Sequence, residues 1–264
     1  MRDGFSTVLE ANGGEVIPRT PSFRFDGRRA LVTGAGRGIG LAAAAALAEA
    51  GAAVTLVART GAEVEAAARK MANADWATLD VLDLDAAAAF FAERPAFHVV
   101  VNNAGTNRPK PLWDVTRQDY DAVLDLNLRA AFFVAQGATK AMIRDGVAGS
   151  LIHMGSQMGH VGGPNHSLYC ASKWGLEGMN KAFALDLAPY GIRSNTIAPT
   201  FIETPMTRPF LDDEAFRVSV LAKIKLGRLG RVEDLMGAVV FLASDASALV
   251  TGTSLLVDGG WTAD

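Results

Sequence analysis

Short apolar runs alternate with longer segments of helical periodicity from residue 29 to the end of this chain of 264 residues. Such alternation is typical of parallel βαβ units, in which a helix follows each strand and packs on the sheet. The predicted strands share an apolar character and are residues 30–33, 54–57, 77–79, 97–101, 150–154, 192–198 and 254–257. The predicted helices are residues 39–50, 61–73, 85–93, 118–145, 168–188 and 232–243. The pattern predicts an α/β fold, a doubly wound sheet of seven parallel strands with helices on both faces.

The first 25 residues are interpreted as an N-terminal tail and residues 26–264 as one domain. Residues 1–22 contain several glycines and prolines and lack the apolar stretch of a secretory signal. After Phe25 no Ser-rich or Pro-rich linker interrupts the alternation, and half of the residues are hydrophobic, enough for a single core. The longest apolar stretches, residues 41–48 and 130–135, are far shorter than the ~20 residues of a membrane span.

The charge balance and the cysteine count limit the partners and the compartment. The chain has 25 Lys and Arg against 28 Asp and Glu, a net charge of −3, and it has no basic run, so we expect no nucleic-acid partner. Cys170 is the only cysteine and can form no internal disulfide. We therefore expect a soluble, cytoplasmic protein without a membrane partner.

A glycine-rich turn, residues 33–40 (TGAGRGIG), joins the first predicted strand to the first predicted helix. Gly34 permits a tight exit from the strand, Gly36 and Gly38 let the backbone approach a pyrophosphate, and Gly40 lets the helix pack closely on the sheet. The helix N-terminus supplies free N–H groups and a positive dipole end. With a strand before the turn and a helix after it, dinucleotide binding is favoured over an ordinary loop.

The end of the second predicted strand indicates which dinucleotide binds. NAD-specific folds usually carry a carboxylate there, whereas residues 57–60 read VART. Arg59 can bind a 2′-phosphate through its fork of N–H donors, with Arg37 assisting. We expect NADP(H) to be preferred. Use of NAD(H) is the alternative, with Arg59 merely stacking on the adenine.

Several further motifs follow in a fixed order: Asp80-Val81, the run NNAG at residues 102–105, Asn127, Ser156, the pair Tyr169 and Lys173, and VDGG at residues 257–260. Together with the glycine-rich turn they resemble the short-chain dehydrogenase/reductase family. The resemblance implies a Rossmann-type fold, an NAD(P)-dependent oxidoreductase acting on CH–OH groups, and a homotetramer. The cofactor-binding residues predicted in this way are Gly34, Gly36, Arg37, Gly38, Ile39, Gly40, Arg59, Asp80, Val81, Asn103, Ala104, Gly105, Tyr169, Lys173, Pro199, Ile202 and Thr204. Thr200 departs from the glycine that commonly follows the proline in the family.

Tyr169 and Lys173 lie four residues apart on a predicted helix and therefore share one face. An ordinary phenol has a pKa of ~10, and a nearby ammonium would lower it towards neutrality. Tyr169 would then exchange a proton with the substrate oxygen. Ser156 follows the fifth strand, where its hydroxyl can orient that oxygen. The resemblance also implies that Lys173 binds the nicotinamide ribose and that Asn127 holds a water linking Lys173 to solvent.

Three segments, residues 106–113, 157–166 and 201–225, are predicted to border the substrate, because long loops carry specificity. The predicted substrate-contacting residues are Trp113, Gln157, Met158, His166 and Phe210. Their mixed chemistry suits a hydroxylated substrate such as a sugar acid or polyol, and equally a ring or an alkyl chain. No pair of histidines has helical metal spacing, so we predict no catalytic metal.

Three functions agree with these residues. The first is an NADP(H)-dependent carbonyl reductase or secondary-alcohol, sugar or polyol dehydrogenase acting on a small molecule. The second is a 3-oxoacyl-thioester reductase, which should present a basic patch for an acidic carrier, and its candidate residues are Arg108, Lys110, Arg208 and Arg217. The third is a cofactor-binding regulatory protein without activity, which the presence of Ser156, Tyr169 and Lys173 together disfavours.

Overall fold

A computed structural model describes residues 9–10 and 16–263. The strands are β1 (Leu9–Glu10), β2 (Val16–Ile17), β3 (Arg29–Thr33), β4 (Ala53–Ala58), β5 (Ala74–Thr78), β6 (Val99–Asn102), β7 (Ser150–Met154), β8 (Arg193–Pro199) and β9 (Ser254–Val257). β1 and β2 form a short antiparallel pair, whereas β3 to β9 form one sheet in the order β5-β4-β3-β6-β7-β8-β9. All neighbours in that sheet are parallel. The predicted seven-stranded parallel sheet is confirmed.

The helices cover both faces of this sheet. They are α1 (Gly38–Glu49), α2 (Gly61–Ala68), α3 (Leu84–Ala92), α4 (Arg117–Leu124), α5 (Ala131–Asp145), α6 (Ser167–Leu187), α7 (Arg208–Leu211), α8 (Glu214–Leu221) and α9 (Glu233–Ala243). Buried side chains of α1, α2 and α9 form a core against one face, and those of α3 and α5 form a second core against the other. Phe25, the last residue of the predicted tail, is fully buried in the first core. Residues 1–8 and 11–15 of that tail lie outside the described residues.

Four predicted elements differ from the structure. The helix predicted over residues 118–145 is interrupted by a π-helical turn, Asp125–Ala130, because one extra residue enters the helix there. The second helix ends at Ala68 rather than at residue 73, and the third strand is residues 74–78 rather than 77–79. The segment 201–225, expected as a loop, contains α7 and α8.

Strand β8 contradicts the expectation that all strands are apolar, because its central residues are buried and polar. The side chains of Ser194, Asn195 and Thr196 each form a hydrogen bond to a residue outside β8. Ser194 Oγ donates to Asn180 Oδ1 (2.8 Å), Asn195 Nδ2 to the carbonyl of Val250 (2.9 Å), and Thr196 Oγ1 to Glu177 Oε2 (2.8 Å). Buried polar groups are tolerated when they are hydrogen-bonded, and these bonds join β8 to α6 and to the segment before β9.

His153 in β7 is fully buried, and its Nδ1 has no hydrogen-bond partner among the residues that the structure describes. Burial, assisted by the positive charge of Lys173, lowers the pKa of His153 from 6.5 to about 4. An unfolded chain therefore binds a proton here at pH values where the folded protein does not. The stability that depends on a neutral His153 is present above pH 6.5 and is lost as the pH falls from there towards 4.

We therefore expect the wild-type protein to lose about 1.4 kcal/mol of unfolding free energy through His153 between about pH 7.5 and about pH 5.5. His153→Leu should remove that part of the loss, since Ser194 Oγ keeps its bond to Asn180. Urea unfolding of both proteins at the two pH values measures the difference. An equal loss of stability in both proteins would contradict the buried neutral imidazole.

Candidate active site

A cavity of about 340 Å³ lies at the carboxyl ends of the strands. Its walls include the turns that follow β3 and β6, the adjacent strands where the order of the sheet reverses. Ligands of doubly wound sheets bind at such a switch point. Every residue predicted above to bind the cofactor lines this one cavity, together with Ser156. Chain segments far apart in the sequence thus converge on a single site.

The glycine-rich turn is held against the turn that follows β6. Asn103 Nδ2 donates to the carbonyls of Thr33 (3.0 Å) and Gly34 (3.3 Å). In the other direction Thr33 Oγ1 accepts from the backbone N–H groups of Asn103 (3.0 Å) and Ala104 (3.1 Å). Gly34 has a φ of +64°, which a residue with a side chain rarely adopts. These bonds set the shape of the phosphate-binding turn before any ligand arrives.

Two observations agree with the predicted binding of a dinucleotide in this cavity. Helix α1 begins beside the cavity without a side-chain cap at Arg37, so the N–H groups of its first turn are available to an anion. Thr200 also lines the cavity, and its buried Oγ1 has no hydrogen-bond partner within the described part of the chain. Arg59, Asp80 and Val81, which the sequence predicts to bind the adenosine part of the cofactor, also line the cavity.

Glu63, at the start of α2, is a cavity residue that the sequence analysis missed. Its Oε1 lies 3.8 Å from Arg37 Nη1. Both side chains are largely exposed, so the attraction between them is weak. Glu63 thus lies beside Arg37, which the sequence predicts to assist Arg59 in binding the 2′-phosphate.

The predicted catalytic residues Ser156, Tyr169 and Lys173 meet in the same cavity. Lys173 Nζ lies 5.5 Å from the centre of the Tyr169 ring and donates to the carbonyl of Met154 at 2.7 Å. Ser156 Oγ donates to Gln157 Oε1 at 2.9 Å and accepts from the backbone N–H of Met158 at 3.1 Å. The serine hydroxyl, the phenol and the ammonium are therefore neighbours, each oriented by a surrounding group.

The titration of Tyr169 differs from the expectation. Burial raises the pKa of its phenol, and hydrogen bonding to Ser156 opposes this rise without reversing it. The expected net lowering of this pKa is wrong for this structure, because burial of the phenol is the largest influence on it. Burial also lowers the pKa of Lys173 from 10.5 to about 8, while the charge of Glu177 raises it. At neutral pH Tyr169 is a protonated phenol that can donate.

Asn127 lies in the π-helical turn and does not line the cavity itself. Its amide bonds both backbone groups of Thr106 at 2.8 Å, and Nδ2 also donates to Ser172 Oγ at 3.1 Å. Asn127 thereby anchors the loop 106–113 to the helix that carries Tyr169. Its role in holding a water stays a prediction.

The predicted substrate residues divide into two groups. Three of them contact catalytic residues. Gln157 accepts a hydrogen bond from Ser156, and the backbone N–H of Met158 donates one to Ser156. The ring centre of His166 lies 6.3 Å from that of Tyr169. None of the five predicted substrate residues is among the described residues that line the cavity, and Trp113 is 84% exposed. Two of the predicted loops touch, since the N–H of Lys110 donates to the carbonyl of Asn165 at 2.8 Å.

Two searches of the described residues gave no candidates. No group of three or more His, Cys, Asp or Glu side chains among them could hold a metal ion. None of their helices is both long enough and apolar enough to cross a bilayer.

The chain is similar to known proteins along most of its length. A family model described as enoyl-(acyl carrier protein) reductase matches residues 34–262. The chain is 39% identical over 241 residues to a D-erythrulose reductase of Gallus gallus, covering 91% of this chain and 98% of the relative. It is 37% identical over 240 residues to an L-xylulose reductase of Bos taurus, covering 91% and 98%. The crystal structure of a gluconate 5-dehydrogenase from Burkholderia cenocepacia in complex with NADP and tartrate matches with a TM-score of 0.89 at 38% identity, covering 93% of this chain and 99% of that one.

Proposed function

The chain belongs to the short-chain dehydrogenase/reductase family, and we propose that it is an NADP(H)-dependent enzyme that interconverts polyhydroxylated ketones and secondary alcohols. The observation that carries this proposal is the meeting of Ser156, Tyr169 and Lys173 in the cavity that the glycine-rich turn also lines. A catalytic acid must lie within reach of both the substrate and the hydride donor, and one cavity provides that arrangement.

A bound nicotinamide supplies the hydride for reduction and accepts it in oxidation. Tyr169 donates its phenolic proton to the ketone oxygen, which becomes the hydroxyl of the product. Ser156 Oγ turns its hydroxyl proton from Gln157 Oε1 to the same oxygen and orients it. The raised pKa of Tyr169 keeps the proton on the phenol at neutral pH, which is the form that reduction requires. Lys173 places a positive charge beside the ring and stabilises the phenolate left after proton transfer.

The substrate class is supported by the relatives and by the cavity. The relatives described above are named for erythrulose, xylulose and gluconate, all polyhydroxylated. The cavity itself contributes polar groups of Ser156, Tyr169 and Thr200 that can hydrogen-bond hydroxyls. We expect C4 to C6 ketoses to be reduced with NADPH. The test is a panel of ketoses, simple aliphatic ketones and acetoacetyl thioesters, with NADPH oxidation followed by absorbance.

Reduction of the thioester but not of ketoses would overturn this substrate class in favour of a 3-oxoacyl-thioester reductase. The charges around the site argue against that function. Asp119 binds both Lys110 (2.5 Å) and Arg108 (3.3 Å), and Arg217 faces Glu214 at 3.7 Å. Two carboxylates therefore offset part of the positive charge of three residues of the candidate basic patch.

The preference for NADP(H) is proposed from Arg59, an exposed cavity residue at the end of β4. Arg59→Gln should weaken NADPH binding at least about tenfold, because a hydrogen bond to a charged group contributes about 1.5–3 kcal/mol. NADH lacks the 2′-phosphate, so its affinity should change less than about twofold. Fluorescence titration of both nucleotides measures these affinities.

The matched control is Arg69→Gln, because Arg69 directly follows the neighbouring helix α2, pairs with Glu65 at 2.6 Å and is outside the cavity. It should leave both affinities unchanged. A wild-type protein that binds NADH as tightly as NADPH, or an Arg59 variant that loses both nucleotides equally, would contradict the preference.

A homotetramer is proposed from apolar side chains left on the surface. Phe132 and Phe133 on α5 are each more than a third exposed, and Trp174 on α6 is about half exposed. Exposed aromatic side chains of this size on adjacent helices are typical of subunit contacts. Light scattering coupled to gel filtration should give four times the chain mass, and Trp174→Glu should shift it to smaller species. A monomer at all protein concentrations would contradict the proposal.

A further inference from the structure

Glu177 is a buried carboxylate that the mechanism above does not use. It lies on α6 one helical turn after Lys173 and is 8% exposed. A buried charge is costly unless other groups compensate it, so its retention in this position requires a reason.

Three elements surround the carboxylate. Thr196 Oγ1 of β8 donates to Oε2 at 2.8 Å, and Ser254 Oγ of β9 donates to Oε1 at 3.2 Å. His160 Nε2, in the loop after β7, lies 2.9 Å from Ser254 Oγ and 3.6 Å from Glu177 Oε1. These contacts fix the position of the carboxylate one helical turn from Lys173.

The same side chain packs against both ends of the turn that carries Ser156. A methyl group built on Gly155 would lie 2.9 Å from Glu177 Oε1, and one built on Gly159 would lie 3.2 Å from its Cγ. Glycine is therefore required at Gly155 for the carboxylate to come so close to the backbone. Glu177 thus contacts the backbone that positions the serine hydroxyl.

We propose that Glu177 is a positioning residue whose carboxylate compensates the buried charge of Lys173 one helical turn away while its side chain supports the Ser156 turn. The proposal rests on the proposed function, in which Lys173 acts as a cation. Glu177 is not among the described residues that line the cavity, so it acts on the reaction through these two neighbours.

The charges around the two side chains support an electrostatic role. Lys173 is buried and is faced by Tyr169 on its own helix, by His153 of β7 and by Glu177. Of these groups, Glu177 is the one that opposes the effect of burial on the pKa of Lys173. Glu177 itself is faced by His160 and Lys173. Removal of its charge should leave the ammonium without a compensating anion.

The test is the pH profile of kcat/KM for ketose reduction in three Glu177 variants and one control. Glu177→Gln removes the charge at constant shape. Glu177→Met removes it without leaving an unpaired hydroxyl, because Thr196 Oγ1 also reaches the carbonyl of Thr253 and Ser254 Oγ reaches His160. Both should move the alkaline loss of activity to lower pH by about 0.5–1 unit. Glu177→Asp keeps the charge, and its alkaline limb should stay within about 0.2 units of wild type. Asp186→Asn, an exposed change on the same helix, should leave the profile unchanged.

A second readout does not depend on turnover. Competitive labelling of the Lys173 amine at several pH values, followed by mass spectrometry, should show the same downward shift in Glu177→Gln and Glu177→Met. An unshifted lysine in either folded variant, or a shift of equal size in Glu177→Asp, would overturn the proposal. If the wild-type protein turns over no carbonyl compound, the proposed function fails, while the labelling still decides the role of Glu177.

Discussion

Tyr169→Phe should lower kcat for ketone reduction by about 1,000-fold, because the phenolic proton is the one that the ketone oxygen receives. The substitution removes a single oxygen from a side chain that packs within its own helix and against His166, so the cavity should keep its shape. Ser156 keeps its bonds to Gln157 and to the N–H of Met158. The loss should therefore appear in kcat, while the affinity for NADPH changes less than about threefold.

Steady-state kinetics and NADPH titration by fluorescence measure the two quantities separately. Tyr190→Phe is the matched control, because Tyr190 is exposed beyond the end of α6 and lies outside the cavity. It should have the activity of wild type. A Tyr169→Phe variant that retains more than about a tenth of the wild-type kcat would refute the role of the phenol as acid.

The sheet could be predicted because most of its strands are buried and read as apolar runs between helices. β7 and β9 have the predicted bounds, and β3, β4, β6 and β8 differ by at most two residues at either end. Periodicity could not reveal the π-helical turn at Asp125–Ala130, because one added residue barely alters the apolar spacing. It also missed α7 and α8, whose few buried side chains, among them Leu211 and Val220, give no clear helical stripe.

Part of the candidate site could likewise be predicted from the sequence, and part could not. Short motifs located the glycine-rich turn and the residues of the cavity, since strand ends converge in any doubly wound sheet. The raised pKa of Tyr169 depends on burial and on where the Lys173 ammonium lies, and neither can be read from spacing. The exposure of Trp113 depends on the direction of a short 3-10 helix. The sequence could also have indicated Glu177, since it lies four residues after Lys173 and shares its helix face.

Gly40→Ala should be the most damaging small substitution in the cofactor site. A methyl group built on Gly40 would lie 2.3 Å from the carbonyl oxygen of Gly34 and 2.5 Å from Asn103 Nδ2. Neither atom can retreat, because Asn103 Nδ2 bonds the carbonyls of Thr33 and Gly34. The start of α1 must then move away from β3, which should cost about 3 kcal/mol of unfolding free energy.

The same displacement pulls the first-turn N–H groups of α1 away from the phosphate site, so NADPH affinity should fall at least about tenfold in the folded protein. Urea unfolding and NADPH titration report the two effects independently. Gly237→Ala is the matched control, because Gly237 lies within α9 and a methyl group built there meets nothing within 4 Å. That variant should gain about 0.5–1 kcal/mol from the higher helix propensity of alanine. If Gly40→Ala were as stable as wild type and bound NADPH equally well, the close contact between α1 and the exit of β3 would not be what shapes the cofactor site.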